Sequence, residues 1–304
     1  MTIGLTVLLQ VGIMFLIIVV GAVCYKTHLV TDAAGSELSN LLLYVVNPAI
    51  MLSAFQKPFE PRLAKGLLVA FGLAAISHAV AIAVSYLAIR KKQPQYKVER
   101  YAVIYSNCGF MAIPLINAVL GQDGVFYASA YIVVFNLLTW TQGVFMMTGR
   151  RDLKSLATLL TSPTIISIVA GLILFFAGIQ LPAILGQPVE LIANLNTPLA
   201  MIAIGISIAQ TDLLKTLRTP RLYLVSALRL LAVPAMMLVV LRLLPADGTI
   251  ELTNLIATAC PVGASCLLFA TRFGQDSRYA SQVTAVSTLF SLLTIPLIVL
   301  LAGL

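Results

Sequence analysis

Charge is what this 304-residue chain has least of: Asp, Glu, Lys and Arg make up 10% of it, and only 11 residues are acidic. Soluble domains carry about 25% charge, so the usual water-facing surface is excluded. Histidine occurs twice, and the four cysteines (Cys24, Cys108, Cys260, Cys266) fall inside or at the edges of apolar runs without CxxC spacing. That excludes a disulfide framework and a cysteine zinc site. No polar stretch is long enough for a soluble domain, the longest being 90–100 and 149–162.

What fills the chain is apolar: 60% hydrophobic residues and a mean hydropathy of +1.01. Several runs of roughly 20 apolar residues match a ~30 Å hydrocarbon core at 1.5 Å per helical residue, where the backbone must bond to itself. Val11 to Val23, Leu67 to Ile89 and Leu222 to Leu241 are apolar on every face, unlike the alternation of barrel strands. The expected fold is an all-α integral membrane protein of ten transmembrane helices, at 4–25, 38–55, 67–89, 98–120, 125–147, 163–178, 191–210, 222–244, 252–271 and 277–301. The first lacks a basic leader and a small-residue cleavage pattern, so it reads as a retained helix.

Lys and Arg collect in cytoplasmic loops. Fourteen lie in loops after odd-numbered spans and four after even-numbered ones, with Arg229 inside a span. Both termini should face outward from a cell (inner or plasma) membrane. The formal charge of +8 is then a topology signal, and no nucleic acid partner is expected.

GQDGVFYAS at 121 and GQDSRYAS at 274 repeat one another at an offset of five spans. An odd number of crossings turns the second copy over, so the reading is two inverted five-helix repeats, 1–148 and 163–304, joined by a cytoplasmic linker at 149–162. FNLLT at 135 and FSLLT at 290, and VNPAIM at 46 and LNTPLAM at 195, fit the same register.

Inverted-repeat transporters bind substrate where discontinuous helices expose backbone groups. Spans four and nine carry the signs of such breaks: Asn107, Gly109 and Pro114 in one, Pro261, Gly263 and Ser265 in the other. Proline removes a donor, glycine tolerates unusual dihedrals, and the freed groups need a polar cavity. Two half-helix N-termini, each with roughly half a positive charge, suit an anion. No Asp or Glu lies deep in a span, which argues against a proton pump built on an intramembrane carboxylate. The substrate-binding candidates are Asn107, Cys108, Asn136, Gly263 and Ser265, and Pro114, Pro261 and Gly109 mark the crossover. Asn47, His78, Asn194, Asn196 and Arg229 are candidates for ion or proton coupling, while buried asparagines equally serve as helix glue. Arg229 either meets backbone carbonyls or adds positive potential to an anion route. GASC at 263 is near a nucleophilic Gly-x-Ser-Gly, but its fourth residue is wrong and neither histidine has a recognisable pairing.

In NCGFMAIPL at 107–115, with Ala112 where a glycine is usual, in NLLTW at 136–140 and in ACPVGASCLLFA at 259–270, the chain resembles the auxin efflux carrier family. That family includes plant PIN-type carriers and bacterial malonate or malate permeases. The resemblance implies a crossover fold shared with sodium–bile acid symporters. Spans one, two, six and seven would be a scaffold that often dimerises, and the other six a transport bundle moving like an elevator. It also implies Asn107 and Asn136 as substrate contacts near crossing prolines Pro114 and Pro261. The expected activity is secondary transport of a small organic anion (auxin-, malonate- or malate-like), without an enzymatic reaction or cofactor, coupled to sodium, to protons or to neither. An ion channel is the alternative, since the same repeat supports one.

Overall fold

The computed structural model describes residues 3–92, 94–149, 160–212 and 216–303. Most of the expected linker at 149–162 lies outside them. Among the described residues regular structure is helical, with one isolated bridge between Ser106 and Val262. In chain order the helices are α1 Ile3–Lys26, α2 Ala34–Ala54, α3 Pro61–Ala88, α4 Tyr96–Ile104, α5 Cys108–Thr148, α6 Pro163–Ala177, α7 Ala183–Ala209, α8 Pro220–Leu243, α9 Gly248–Ala259, α10 Ser265–Arg272 and α11 Ser277–Ala302.

Seven of these (α1, α2, α3, α5, α7, α8 and α11) are long and apolar enough to cross a membrane. The three other expected spans are built differently. α6 has 15 residues, and spans four and nine are each interrupted. Side chains such as Leu68, Leu87 and Ile184 point outward from the bundle, as hydrocarbon rather than water as solvent requires.

The repeated GQD turns share one device. Gly121 takes φ +62° and Gly274 φ +64°, a region open to glycine at little cost. Gly121 therefore divides α5 into two arms, 108–120 and 122–148, while Gly274 ends the turn after α10. Asp276 then caps α11 by accepting the Tyr279 N–H at 2.9 Å, whereas Asp123 forms an ion pair with Lys57.

Three of the prolines inside spans are accommodated in a common way. Five-residue π turns at Leu42–Val46, Cys108–Ala112 and Leu228–Ala232 each precede a proline by two residues, at Pro48, Pro114 and Pro234. Proline cannot donate to the carbonyl four residues back and its ring crowds that carbonyl. A local i→i+5 widening supplies the missing room.

Two groups of helices pack against one another. α1 runs along α7 and α2 packs on α6 and α7; separately, α3, α4, α5, α8, α9, α10 and α11 pack together, with α1–α11, α1–α5 and α2–α5 contacts joining the groups. The α1–α7 contact is backbone to backbone: a Cβ added to Gly205 would stand 2.1 Å from Ile18 O. Small residues allow such approach where helices cannot be driven together by water.

Candidate functional site

The interruptions of spans four and nine meet. α4 ends at Ile104 and α5 begins at Cys108; α9 ends at Ala259 and α10 begins at Ser265. Between them the strands 105–107 and 261–263 cross as a two-bond antiparallel pair, Asn107 N–H donating to Pro261 O at 2.7 Å and Gly263 N–H to Tyr105 O at 3.0 Å. Ser287 Oγ accepts the Val262 N–H at 3.1 Å. A Cβ on Gly263 would lie 2.9 Å from Ser106 O, so the close crossing needs glycine there. This is where unwound backbone finds partners in a medium without water.

Each interruption leaves a helix C-terminus with unpaired carbonyls, and one side chain collects both. Arg229, fully buried in the π turn of α8, donates to Val103 O at 2.9 Å and Ile104 O at 3.2 Å on α4. It also donates to Cys260 O at 3.1 Å and to Thr258 O at the end of α9. Among the described residues it has no carboxylate partner; the α4 carboxylate, Glu99, is bound bidentately by Arg221. The two helix N-termini, at Cys108 and Ser265, are left facing the crossing.

Asn107 caps the first of these, its Oδ1 accepting the Phe110 N–H at 3.3 Å, which leaves its amide N–H groups for a guest. It lines a cavity of about 50 Å³ together with Phe110 and Ala264 from the crossing, Thr284 and Thr288 from α11, and Ser207 among the α7 residues. The cavity thus lies between the two helix groups. The hydroxyl protons of Thr284 and Thr288 go to Ala280 O and Thr284 O, so both present lone pairs. Behind the cap, Asn196 Nδ2 donates to Asn47 Oδ1 at 2.7 Å, both side chains buried, and Asn47 Nδ2 is 3.6 Å from where a Gly109 Cβ would sit. A larger cleft of about 210 Å³ lies between Leu241, Arg242 and Glu251. Its charged groups already bind Ala302 O and Ala246 N–H and it holds no interrupted backbone, so the site is assigned to the smaller cavity.

The structure brings together Asn107, Cys108, Gly109, Pro261, Gly263 and Ser265 at the crossing, with Asn47 and Asn196 behind it. Pro114 is a correction: it lies inside α5 beyond a π turn, and the break falls at 105–107. Asn136 is not joined to Asn107, because its Nδ2 donates to Ile132 O on its own helix. Asn194 is exposed at a turn within α7. Buried His78 holds Ala74 O through Nδ1 and lies tilted against Tyr131, with ring centroids 4.8 Å apart; among the described residues its Nε2 has no partner.

Sequence reasoning missed a second polar cluster. The hydroxyls of Ser265 and Thr139 approach that of Tyr101, yet among the described residues none of the three has a partner in hydrogen-bonding geometry. Phe269 walls it, 5.3 Å from Tyr101 and 5.1 Å from Trp140 between centroids. The signal was the Thr-Trp pair at 139–140, read only as part of a family motif.

Interrupted helices that bond across one another beside a polar cavity, inside an apolar helical bundle, are the build of a membrane transport protein. A family model described as membrane transport protein matches residues 6–156 and again 152–299. The chain belongs to this family, the auxin efflux carriers. It is 22% identical over 286 residues, 89% of each chain, to a protein of Rhizobium meliloti (strain 1021) named "Putative malonate transporter".

Proposed function

We propose that this membrane transport protein is a secondary transporter of small organic anions, carboxylates of the auxin, malonate or malate kind, working by alternating access. The observation that carries the reading is the meeting of two half-helix N-termini, at Asn107–Cys108 and Ala264–Ser265, beside the cavity between the helix groups. Each terminus favours negative charge by up to ~2 kcal/mol in a partly buried geometry. Asn107 supplies neutral donors, and among the described residues no carboxylate lines the cavity.

The two matches of one family model and the paired GQD glycines support ten spans in two inverted repeats, and the bias of Lys and Arg toward loops after odd-numbered spans supports both termini outside. The cavity has room for only a few waters. A carboxylate therefore enters when α7 and the crossing part, as they do if α3–α5 and α8–α11 slide as one body along a scaffold of α1, α2, α6 and α7. That scaffold would be the surface of a homodimer. Sodium or a proton is the candidate coupling ion: among the described residues no His, Cys, Asp or Glu cluster could hold a metal, so a cation would rely on hydroxyl and carbonyl oxygens.

The experiment is uptake of malonate and indole-3-acetate into liposomes, with sodium and proton gradients imposed separately. Saturable uptake, reduced at least about tenfold by Asn107→Ala at equal reconstitution, is expected; absence of uptake for every carboxylate would sink the reading. Continuous single-channel current without saturation would show a channel instead.

A further inference from the structure

We infer that Arg229 sets the crossing to accept a single negative charge, so that a dicarboxylate is taken with one of its carboxyl groups protonated. The inference rests on the anion-transport reading above.

Four helix ends meet at the crossing: the C-termini of α4 and α9 and the N-termini of α5 and α10. Each C-terminus carries roughly −0.5 and each N-terminus roughly +0.5 of an elementary charge. Arg229, always protonated, donates to carbonyls of both C-terminal ends, beside the neutral Tyr131 hydroxyl, and cancels those ends. The two N-termini remain, worth roughly one positive charge, and they lie on the cavity side. One carboxylate neutralises that charge; a dianion would leave a net negative charge in a low-dielectric interior, which is costly without a further cation.

The cavity lining agrees. A singly protonated dicarboxylate has a carboxylate for the N-termini and the Asn107 amide, and one O–H to donate. Thr284 and Thr288 present acceptor lone pairs because their own protons are held by Ala280 O and Thr284 O. The ionisable groups around Arg229 are His78 from α3, Tyr131 and Cys108 from α5 and Cys260 after α9. Of these only His78 titrates near neutrality in its unperturbed form. It must be controlled.

The test measures binding of malonate and of monomethyl malonate, a fixed monoanion, to the purified full chain between pH 5.5 and 8. Monomethyl malonate affinity should be flat. Malonate affinity should fall about tenfold per pH unit above its second ionisation, as when only the protonated form binds, and the slope should persist in His78→Gln. Arg229→Gln should weaken monomethyl malonate about tenfold, the order expected for removing a unit charge from such a site, while Arg229→Lys restores most of it at matched folded fraction. Malonate binding that does not vary with pH, a slope lost in His78→Gln, or equal affinities in the Gln and Lys variants would each overturn the inference. Failure of every carboxylate to bind wild type would instead sink the anion reading itself.

Discussion

Two glycines that look alike in sequence do different work. Gly263 stands where a Cβ would be 2.9 Å from Ser106 O, a backbone atom that cannot move without opening the crossing. Gly109, two residues past the crossing, has only Asn47 Nδ2 at 3.6 Å, an ordinary contact. Gly263→Ala should therefore cost about 1–3 kcal/mol as an overpacked site, and Gly109→Ala should be neutral or stabilising by up to about 1 kcal/mol within a helix. Thermal unfolding in detergent checks both; equal melting temperatures would show that the crossing tolerates separation. The sequence made both glycines candidates, because both lie near a proline in an apolar span. Only the crossing strand, seen from its partner, tells them apart.

At the scale of the element, the helices show why proline was an unreliable marker. Pro114 and Pro261 both mark the crossover in the sequence, and only Pro261 is at an interruption. Pro114, like Pro48 and Pro234, follows a π turn that absorbs the missing hydrogen bond. The choice between widening and breaking a helix depends on whether the freed carbonyls find another donor. At 103, 104, 258 and 260 that donor is Arg229 from a third helix. The other end of α9 is capped: Asp247 Oδ1 accepts the Thr249 N–H at 3.0 Å, and Arg62 of α3 reaches its Oδ2 at 2.9 Å. The Thr249 backbone bond first, then Arg62, hold the Asp247 carboxyl below the usual carboxylate range. A lowered folded-state value means stabilisation that is present above the unfolded value of about 4 and lost as pH falls through the folded one. Asp247→Ala should lower stability at neutral pH by about 1 kcal/mol or less, since the site is exposed, with the difference vanishing as pH drops below about 4. A difference unchanged down to pH 3 would assign it to something other than the ionised cap.

At the scale of the whole molecule, the question is whether one helix group moves against the other. Residues 4 and 300 join α1 to α11 far along the chain: a Cβ on Gly4 would lie 3.8 Å from the Leu300 Cα and closer still to the Leu300 side chain, so the two positions are in direct contact. In a Cys24→Ser background, the pair Gly4→Cys with Leu300→Cys should form a disulfide under oxidation. Sliding of α11 past α1 then predicts that uptake stops on oxidation and returns with reductant. Uptake that persists with the bridge complete would exclude relative movement at that contact.

Composition and patterning dictate the solvent and the kind of segment. Apolar runs of membrane length with almost no buried carboxylate admit only helices, and glycine at 121 and 274 is the residue that positive φ allows. The sequence also placed Asn107, Pro261 and Gly263 at the interruptions, since those residue types favour leaving a helix. Tertiary structure alone decided which carbonyls Arg229 would satisfy, that Asn47 would bond Asn196 149 residues away, that Asn136 would turn to its own backbone, and that Tyr101, Thr139 and Ser265 would converge. The reason is physical: helix formation in an apolar medium is a local requirement of each backbone segment, whereas a polar side chain inside that medium takes whichever partner the neighbouring helices bring within reach.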